Sequence, residues 1–503
     1  METNLSQLLD DPIIRLLMDW AGRLEQPLYL VGGYLRDFLL GRQNPEPDLD
    51  LVAPRDFQTL ARRWADESRG SLVVMDDASY RVVFDRQGQR WQWDFAGLRA
   101  PTIEEDLRLR DFTVNAIAWP LEVGADPRVC PPDTGGHRGP PLLDPTNGLA
   151  DLQAGLLRIP YDRAFQDDPV RLLRAVRFVA QLGFTLEANT RDRIIQEKNL
   201  LEKSAGERIR DEFFKILAGR GVVEHIKLMD GLRLLSVLIP EVEEMKLVKQ
   251  GPPHYLPLWE HSLETLKWME TILDENAGAY CNTPLPKEHY REIIEGSITR
   301  REVILLAALF HDIGKPATRT VDEEGKIHFY EHQHIGEDLI RRLAKDFKLS
   351  KRAQEILHLA VRGHMRPFYL TESTQNPEEV TPRARARFFR QLKDVGLDVL
   401  LISLADLIAT YGPDDKEDID FHRSFIAMMM EHYFGKHLAA QKAPLLLGRD
   451  LLEHFRLEPG PYLGFLLDKI SEAQEEGLVV TKVEALRYLE ENLKEWEEEF
   501  KKT

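Results

Sequence analysis

Through roughly the first 120 residues, short apolar runs alternate with helical stripes; beyond them the stripes take over. β-prone runs fall at 28–31, 49–52, 72–75, 81–84 and 91–95, and helical patterns at 11–22, 34–40 and 56–67. Apolar residues at period two mark a strand with one buried face, and a period near 3.6 marks a helix with one buried stripe. Residues 1–120 therefore predict an α/β unit. The Pro- and Gly-rich stretch 124–142 reads as a loop or partly disordered insertion. From about residue 160 the spacing is almost wholly helical, as in RLLRAVRFVAQLGF (171–184), ERIRDEFFKILAG (207–219) and VVEHIKLMDGLRLLSVLIP (222–240). A second helical block spans 254–435, interrupted by polar segments at 276–300 and 371–383. The last unit begins near APLLLGRDLLEHF and ends in a charged helix.

Composition narrows the class. With 503 residues, 43% hydrophobic and 30% charged, the chain predicts several globular domains. No apolar stretch approaches the ~20 residues of a membrane span, and METNLSQLLDDPII lacks the basic flank and apolar core of a signal peptide. Two cysteines, Cys130 and Cys281, supply neither a disulfide framework nor a thiolate metal site. A cytoplasmic home is expected. The net charge of −18 argues against indiscriminate nucleic-acid binding. It leaves room for a compact RNA, because arginines cluster at 158–177 and 383–390 while much of the acid lies in the tail EENLKEWEEEF.

The densest chemistry lies early. The apolar run from Leu28 to Val31 meets Gly32 and Gly33, and a helical pattern then carries Arg36 and Asp37. Shortly after, Asp48 and Asp50 flank Leu49 in a second apolar run. Residues at i and i+2 of a strand share a face, so the two carboxylates stand close and raise each other's pKa unless a cation lies between them. Beside a glycine turn feeding a helix N-terminus, a natural anion site, this arrangement suggests Mg²⁺ holding a nucleoside triphosphate. Taken singly, an Asp-Leu-Asp is the polar face of an edge strand and a Gly-Gly is a turn. Their order and spacing together point to chemistry.

The stretch resembles the nucleotidyltransferase superfamily, specifically the class II tRNA nucleotidyltransferases and bacterial poly(A) polymerases. Their first motif, Gly-Gly-x-x-Arg-Asp followed by Asp-x-Asp, is filled at every position. The resemblance implies that Asp48 and Asp50 hold two Mg²⁺ ions, with Asp94 in WQWDFAGLR as the third carboxylate that supports the metals or activates the attacking hydroxyl. LRLRDFTVNAIAW (107–119) matches the second motif except that Leu109 replaces its first arginine. Arg110, Asp111 and Asn115 are then implied to contact the sugar and phosphates of the incoming nucleotide; the plain alternative is a helix start capped by Asp111. DPTNGLADLQAGLLR (144–158) matches the third motif, a hinge without chemistry. DDPVRLLRAVRF (167–178) resembles the fourth motif with Asp167 in place of glutamate. An acid and an arginine three apart on a helix share a face, and by resemblance Asp168 and Arg171 read the Watson–Crick edge of C or A, while Arg174 and Arg177 reach phosphates. The plain alternative makes Asp168 an N-cap ahead of Pro169. Full CCA-adding members carry a flexible loop between the third carboxylate and the second motif, and GLRAPTIEEDL leaves almost no room for one. In the family that loss goes with enzymes that add CC and stop.

A second constellation follows, with His261, the pair His311 and Asp312 in HDIGK, His332, His364 and Asp406. Imidazoles and carboxylates suit a divalent metal and a metal-activated water, whereas a lone buried His is ordinarily just packed. These residues resemble the HD phosphohydrolase superfamily. Its core ligands match His261, His311, Asp312 and Asp406, and second-metal positions match His332 and His364; the spacing to Gly336 favours His332 over His334.

The expected fold is α+β, a polymerase-beta-like nucleotidyltransferase head (1–150) followed by a helical neck (151–250), an HD-type metal-binding domain (251–435) and a C-terminal helical domain (436–503). The expected function is template-independent transfer of CMP or AMP from CTP or ATP to the 3′ end of tRNA, with a second, phosphohydrolase activity in the HD part. Poly(A) polymerase is the alternative within the class, although its basic tail is replaced here by an acidic one. An HD phosphohydrolase with a nucleotide-binding head is the alternative from another class.

Overall fold

The computed structural model describes residues 11–42, 48–76, 79–86, 88–121, 141–274, 286–412, 415–437, 444–455, 457–476 and 478–501. Most of the 124–142 stretch, Cys130 and Cys281 lie outside these residues. The chain forms two compact units, Met1–Ser204 with Gly231–Val237, and Ala205–Asp230 with Leu238–Thr503.

The first unit is built on α1 (Pro12–Ala21), β1 (Leu28–Val31), α2 (Gly32–Leu39), β2 (Asp48–Ala53), α3 (Phe57–Ser68), β3 (Ser71–Asp76), β4 (Ser79–Arg86), β5 (Gln89–Gly97), α4 (Ile103–Arg108) and β6 (Ala118–Leu121). The six strands form one sheet in the order β3-β4-β5-β2-β1-β6. Only β2 and β5 run parallel; every other neighbouring pair is antiparallel. The parity of β5 explains its two faces. Trp93 and Phe95 point into an aromatic core with Trp20, Trp64 and Phe84, in which Trp64 stacks on Trp93 at 4.1 Å. Asp94, between them in sequence, must then face the other way. That opposite face is partly covered by a small cluster of Val31, Val52, Ile103, Leu107, Ala116 and Ala118.

Downstream in this unit, helix Arg171–Leu182 buries Leu172, Leu173, Ala175, Val176 and Phe178. Arg42, just past α2, donates to the carbonyls of Gln181 and Leu182 at its C-terminal end, 2.9 and 2.8 Å away.

In the second unit, helices Leu258–Asp274, Arg300–Leu309, His332–Asp346, Lys351–Gly363 and Val395–Tyr411 pack together. Arg300–Leu309 and Val395–Tyr411 are buried on nearly every side, the mark of helices at the centre of an all-helical core. Thr299 and Glu302 close a capping box at the start of the former. Helices Gly448–Phe455, Pro461–Glu475 and Lys482–Lys501 share a core of their own around Leu451, Leu466, Ile470 and Leu489. None of the described helices is long and apolar enough to cross a membrane.

Two expected elements differ. The stretch 222–240 is two helices, Val222–Gly231 and Leu234–Leu238, broken where Arg233 adopts a left-handed φ of 60°. Leu232, Leu234 and Leu235 are all buried, so the apolar spacing is met on both sides of a break it does not reveal. The polar segment 276–300 is not all loop: it holds helix Lys287–Arg291 and a hairpin of Ile293–Glu295 with Ile298–Thr299.

Candidate active site and metal centre

Three carboxylates meet on the open face of the sheet. Asp48 and Asp50 share one side of β2, and the parallel register places Asp50 directly opposite Asp94 on β5. Gly32, which ends the turn out of β1, has φ +77°, and a Cβ there would lie 2.2 Å from Asp50 Oδ2. Glycine is therefore required twice over, for its backbone angle and for its missing side chain. The amide of Gly33 points at the same oxygen, 3.4 Å away.

The electrostatics call for a cation. Burial, then repulsion from Asp94 and Asp50, pushes Asp48 up to about 7, against a smaller opposing pull from Arg81. Burial raises Asp50 as well, opposed chiefly by Arg110. Asp48 Oδ1 is buried with no hydrogen-bond partner. A hard divalent ion with oxygen ligands fits this donor set. Arg81, which no motif singles out, lies across from Asp94 on β4, its Nε 2.7 Å from Oδ1 and its Nη2 2.6 Å from Oδ2.

Beside the acids runs a polar chain. Asp37 accepts from Arg36 Nε at 2.8 Å, Arg36 Nη1 reaches Asn115 Oδ1 at 2.8 Å, and Asn115 Nδ2 reaches Asp111 Oδ1 at 3.0 Å. Arg174 closes the chain on Asp111 Oδ2 at 2.6 Å. Burial alone would raise Asp111, but Arg174 and the hydrogen bonds of Asn115 and Phe112 outweigh it and hold the group at about 2. Asp111 is thus a fixed anion. The single 3₁₀ turn that follows, Thr113–Asn115, has Phe112 at its N-cap, so the plain alternative of a helix start capped by Asp111 is not met. Arg110 pairs with Asp106. Arg36, Arg174 and Arg177 surround the Phe178 ring at 5.3, 5.6 and 4.1 Å.

The fourth-motif residues are arranged differently from a helical i, i+3 pair. Asp168 is extended and ends the short helix Ala164–Asp167, while Arg171 opens the next helix, whose N-cap is Val170 without a side-chain cap. Asp168 therefore stands outside the helix that Arg171 opens, and the common helical face falls, because Pro169 keeps the preceding residue extended. Arg171 is buried and donates to Tyr161 Oη at 2.9 Å, to Ala164 O at 3.3 Å and to Leu109 O at 2.9 Å. Tyr161 is a second residue that pattern reading passed over.

In the second unit, two groups of ligand atoms share Asp312: His261 with His311, and His332 with His364. His261 Nε2 is 3.1 Å from Asp406 Oδ1, and His332 Nε2 is 3.1 Å from Asp312 Oδ1. His311, His332 and His364 each direct Nδ1 to the carbonyl three residues earlier, on Ala308, Phe329 and Val361 at 2.8, 2.8 and 2.6 Å. Those contacts fix the rings with Nε2 turned inward, the usual preparation of a metal-binding imidazole. Burial opposes a charge on His311, yet Asp312 and Asp406 overcome it and lift the ring to about 10. The cluster therefore demands positive charge. Lys315 supplies one more, 2.6 Å from Asp312 Oδ2, and is held by Gln250. Gly314 admits the helix start, since a Cβ there would lie 2.1 Å from His332 O. His334 is exposed and outside the cluster.

A mixed sheet presenting paired acids at the end of a glycine turn, joined in one chain to a buried His/Asp cluster, defines a nucleotidyltransferase with an HD domain. Residues 28–158 match the Poly A polymerase head domain, 183–246 the probable RNA and SrmB-binding site of polymerase A, and 258–410 the HD domain. The chain is 30% identical over 482 residues to the A-adding tRNA nucleotidyltransferase of Deinococcus radiodurans, covering 93% of this chain and 95% of that one. It is 29% identical to the CC-adding tRNA nucleotidyltransferase of Thermus thermophilus, over 94% and 95% of the two chains. In fold it is similar to the Thermotoga maritima CCA-adding enzyme complexed with tRNA, with TM-score 0.56, 21% identity, and 97% and 98% of the chains covered. The chain belongs to the class II tRNA nucleotidyltransferase and poly(A) polymerase family.

Proposed function

We propose that the chain transfers CMP from CTP to the 3′ end of tRNA in the cytoplasm, adding two C residues and stopping before A. The observation that carries the extent of addition is the connection between β5 and α4. β5 ends at Gly97 and α4 (Ile103–Arg108) leads straight into the second motif, so only Leu98–Thr102 separate the strand of the third carboxylate from that helix. Members that complete CCA have a flexible loop there. Identity does not separate the readings, because the A-adding and CC-adding relatives stand at 30% and 29%.

Asp48 and Asp50 would hold Mg²⁺, with Asp94 beside them. Bound there, the metal lowers the pKa of the attacking hydroxyl and neutralises the departing pyrophosphate. Gly32 leaves room for Asp50, and the Gly33 amide and Arg36 face the triphosphate. Asp37 holds Arg36, and Arg110 and Asn115 position phosphate and sugar. Asp111 anchors Arg174. Asp168 and Arg171 read the base edge, an acceptor and a donor suited to cytosine, while Arg174 and Arg177 serve the phosphates. The neck helices from residue 151 would follow the acceptor arm by shape and backbone contacts.

The test is direct: purified protein, Mg²⁺, labelled CTP or ATP, and tRNAs ending at the discriminator base, C or CC. The reading requires two CMP additions and no AMP on the CC substrate. AMP added to the CC end refutes the stop, and long A tracts on unrelated RNA refute the tRNA assignment.

A second reading adds to the first. Two buried ligand groups sharing Asp312 suit a pair of divalent ions and phosphoester hydrolysis at the HD domain. Opening of 2′,3′-cyclic phosphate ends to the monophosphate, or release of phosphate from 3′-phosphate ends, lost in His311→Ala with CMP transfer retained, is the outcome that supports it. Absence of both reactions with metal-loaded protein removes it.

A further inference from the structure

Arg81 is placed where a cation for the acid pair belongs. It lies on β4 in register with Asp94 and grips both oxygens of that carboxylate, at 2.7 and 2.6 Å. The same Nη2 reaches Asp48 Oδ2 at 3.4 Å. The first two contacts form the two-pronged arrangement that gives guanidinium–carboxylate pairs their strength, and the third is much looser. Its location also departs from that of a structural ion pair. Arg81 stands on the open face of the sheet among the acids, with its side chain 27% exposed, and its neighbours Tyr80 and Val82 make the buried contacts instead.

Two consequences follow from that geometry. Asp94, with both oxygens on Arg81, is held in one orientation opposite Asp50, so the pair fixes its position. Asp48 shares a positive charge through one long contact, which an arriving divalent ion can replace while the short pair to Asp94 stays closed.

We propose that Arg81 is a resident counter-cation of the carboxylate cluster, a positioning residue that locks Asp94 and screens Asp48 until a divalent ion takes its place. Ion binding to the free protein is then weak and strengthens when a nucleoside triphosphate brings its own oxygens. The inference rests on the reading that Asp48 and Asp50 hold divalent ions.

The experiment measures Mn²⁺ binding to the full-length protein by the loss of the free-ion EPR signal, with and without CTP. The ions lost in Asp50→Asn define the head sites and separate them from those of the HD domain. In Arg81→Gln, head-site Mn²⁺ binding without CTP is expected to tighten on the order of tenfold, the scale of one unit charge removed from a partly solvated site. The enhancement by CTP should shrink accordingly. Arg81→Lys, which keeps the charge, should bind Mn²⁺ within about twofold of the wild type by the same reasoning. Unchanged or weaker Mn²⁺ binding in Arg81→Gln overturns the inference while the ion sites stand, as does equal tightening in Arg81→Lys. Failure of Asp50→Asn to lose any Mn²⁺, even with CTP present, overturns the ion-site reading itself and the inference with it.

Discussion

The carboxylates of the head and the His/Asp cluster of the HD domain both ask for divalent metal, and they ask in opposite ways. In the head, Asp48 is half exposed, its partners come from different strands, and an arginine side chain already shares the charge. In the HD domain, His261, His311, Asp312 and His364 are almost fully buried, and three imidazoles are pre-aimed by backbone carbonyls. An open site with a counter-charge already beside it suits ions that arrive with a substrate and leave with a product. A closed site with oriented rings suits ions that stay. Burial and pre-orientation, more than ligand identity, distinguish a travelling metal from a resident one.

The largest expected effect separates the two outright. Asp50→Asn should cut CMP incorporation by roughly a thousandfold, the scale of losing a principal electrostatic group at a reacting centre. Metal retained after extensive dialysis, read by mass spectrometry, should not change. Loss of retained metal in that variant would break the comparison. The reciprocal change, Asp312→Asn, strikes the carboxylate common to both HD ligand groups and should weaken retained metal by about 10–100-fold. CMP incorporation should stay within about threefold of wild type, since exchanging one carboxylate for its amide keeps the volume.

Gly314→Ala probes the closure of the HD site. A Cβ 2.1 Å from His332 O forces the helix start outward, and a cost of about 1–3 kcal/mol in urea denaturation is expected. Retained metal should fall in parallel; full retention would mean that the close approach is not what keeps the ions. The smallest effect is a control on the scaffold. Thr299→Ala removes one half of the capping box of helix Arg300–Leu309 and should cost about 1 kcal/mol without altering either site.

How far the sequence could be read differs between the regions for a physical reason. Every β-prone run in the head became a strand, because alternation of apolar residues reports directly on which face is buried. Asp94 could be placed on a strand in this way. Its pairing opposite Asp50 could not, because β2 and β5 are neighbours through a parallel contact between non-consecutive strands. Arg81 escaped for a different reason: it alternates with Tyr80 and Val82 like any outward residue, and only the antiparallel β4–β5 register sets it across from Asp94. The HD cluster was more legible, since its six candidate ligands stand in a fixed order around HDIGK and the fold brings them together. The carbonyl contacts that orient three of the rings come from two helix ends and the strand end at Phe329, and depend on no side-chain identity. Asp168 and Arg171 show the limit of local rules, because Pro169 alone was enough to remove the shared helical face.

The alternation of β2 has a consequence for inheritance. Leu49 and Leu51 are buried on one side of the ribbon, and Asp48 and Asp50 work on the other. Losing a single residue between them would send a carboxylate into the aromatic core and a leucine out to the nucleotide. Such a strand can change its letters across a lineage but not its length. Gains and losses of residues must fall in the connections instead, and the Leu98–Thr102 link is one such connection.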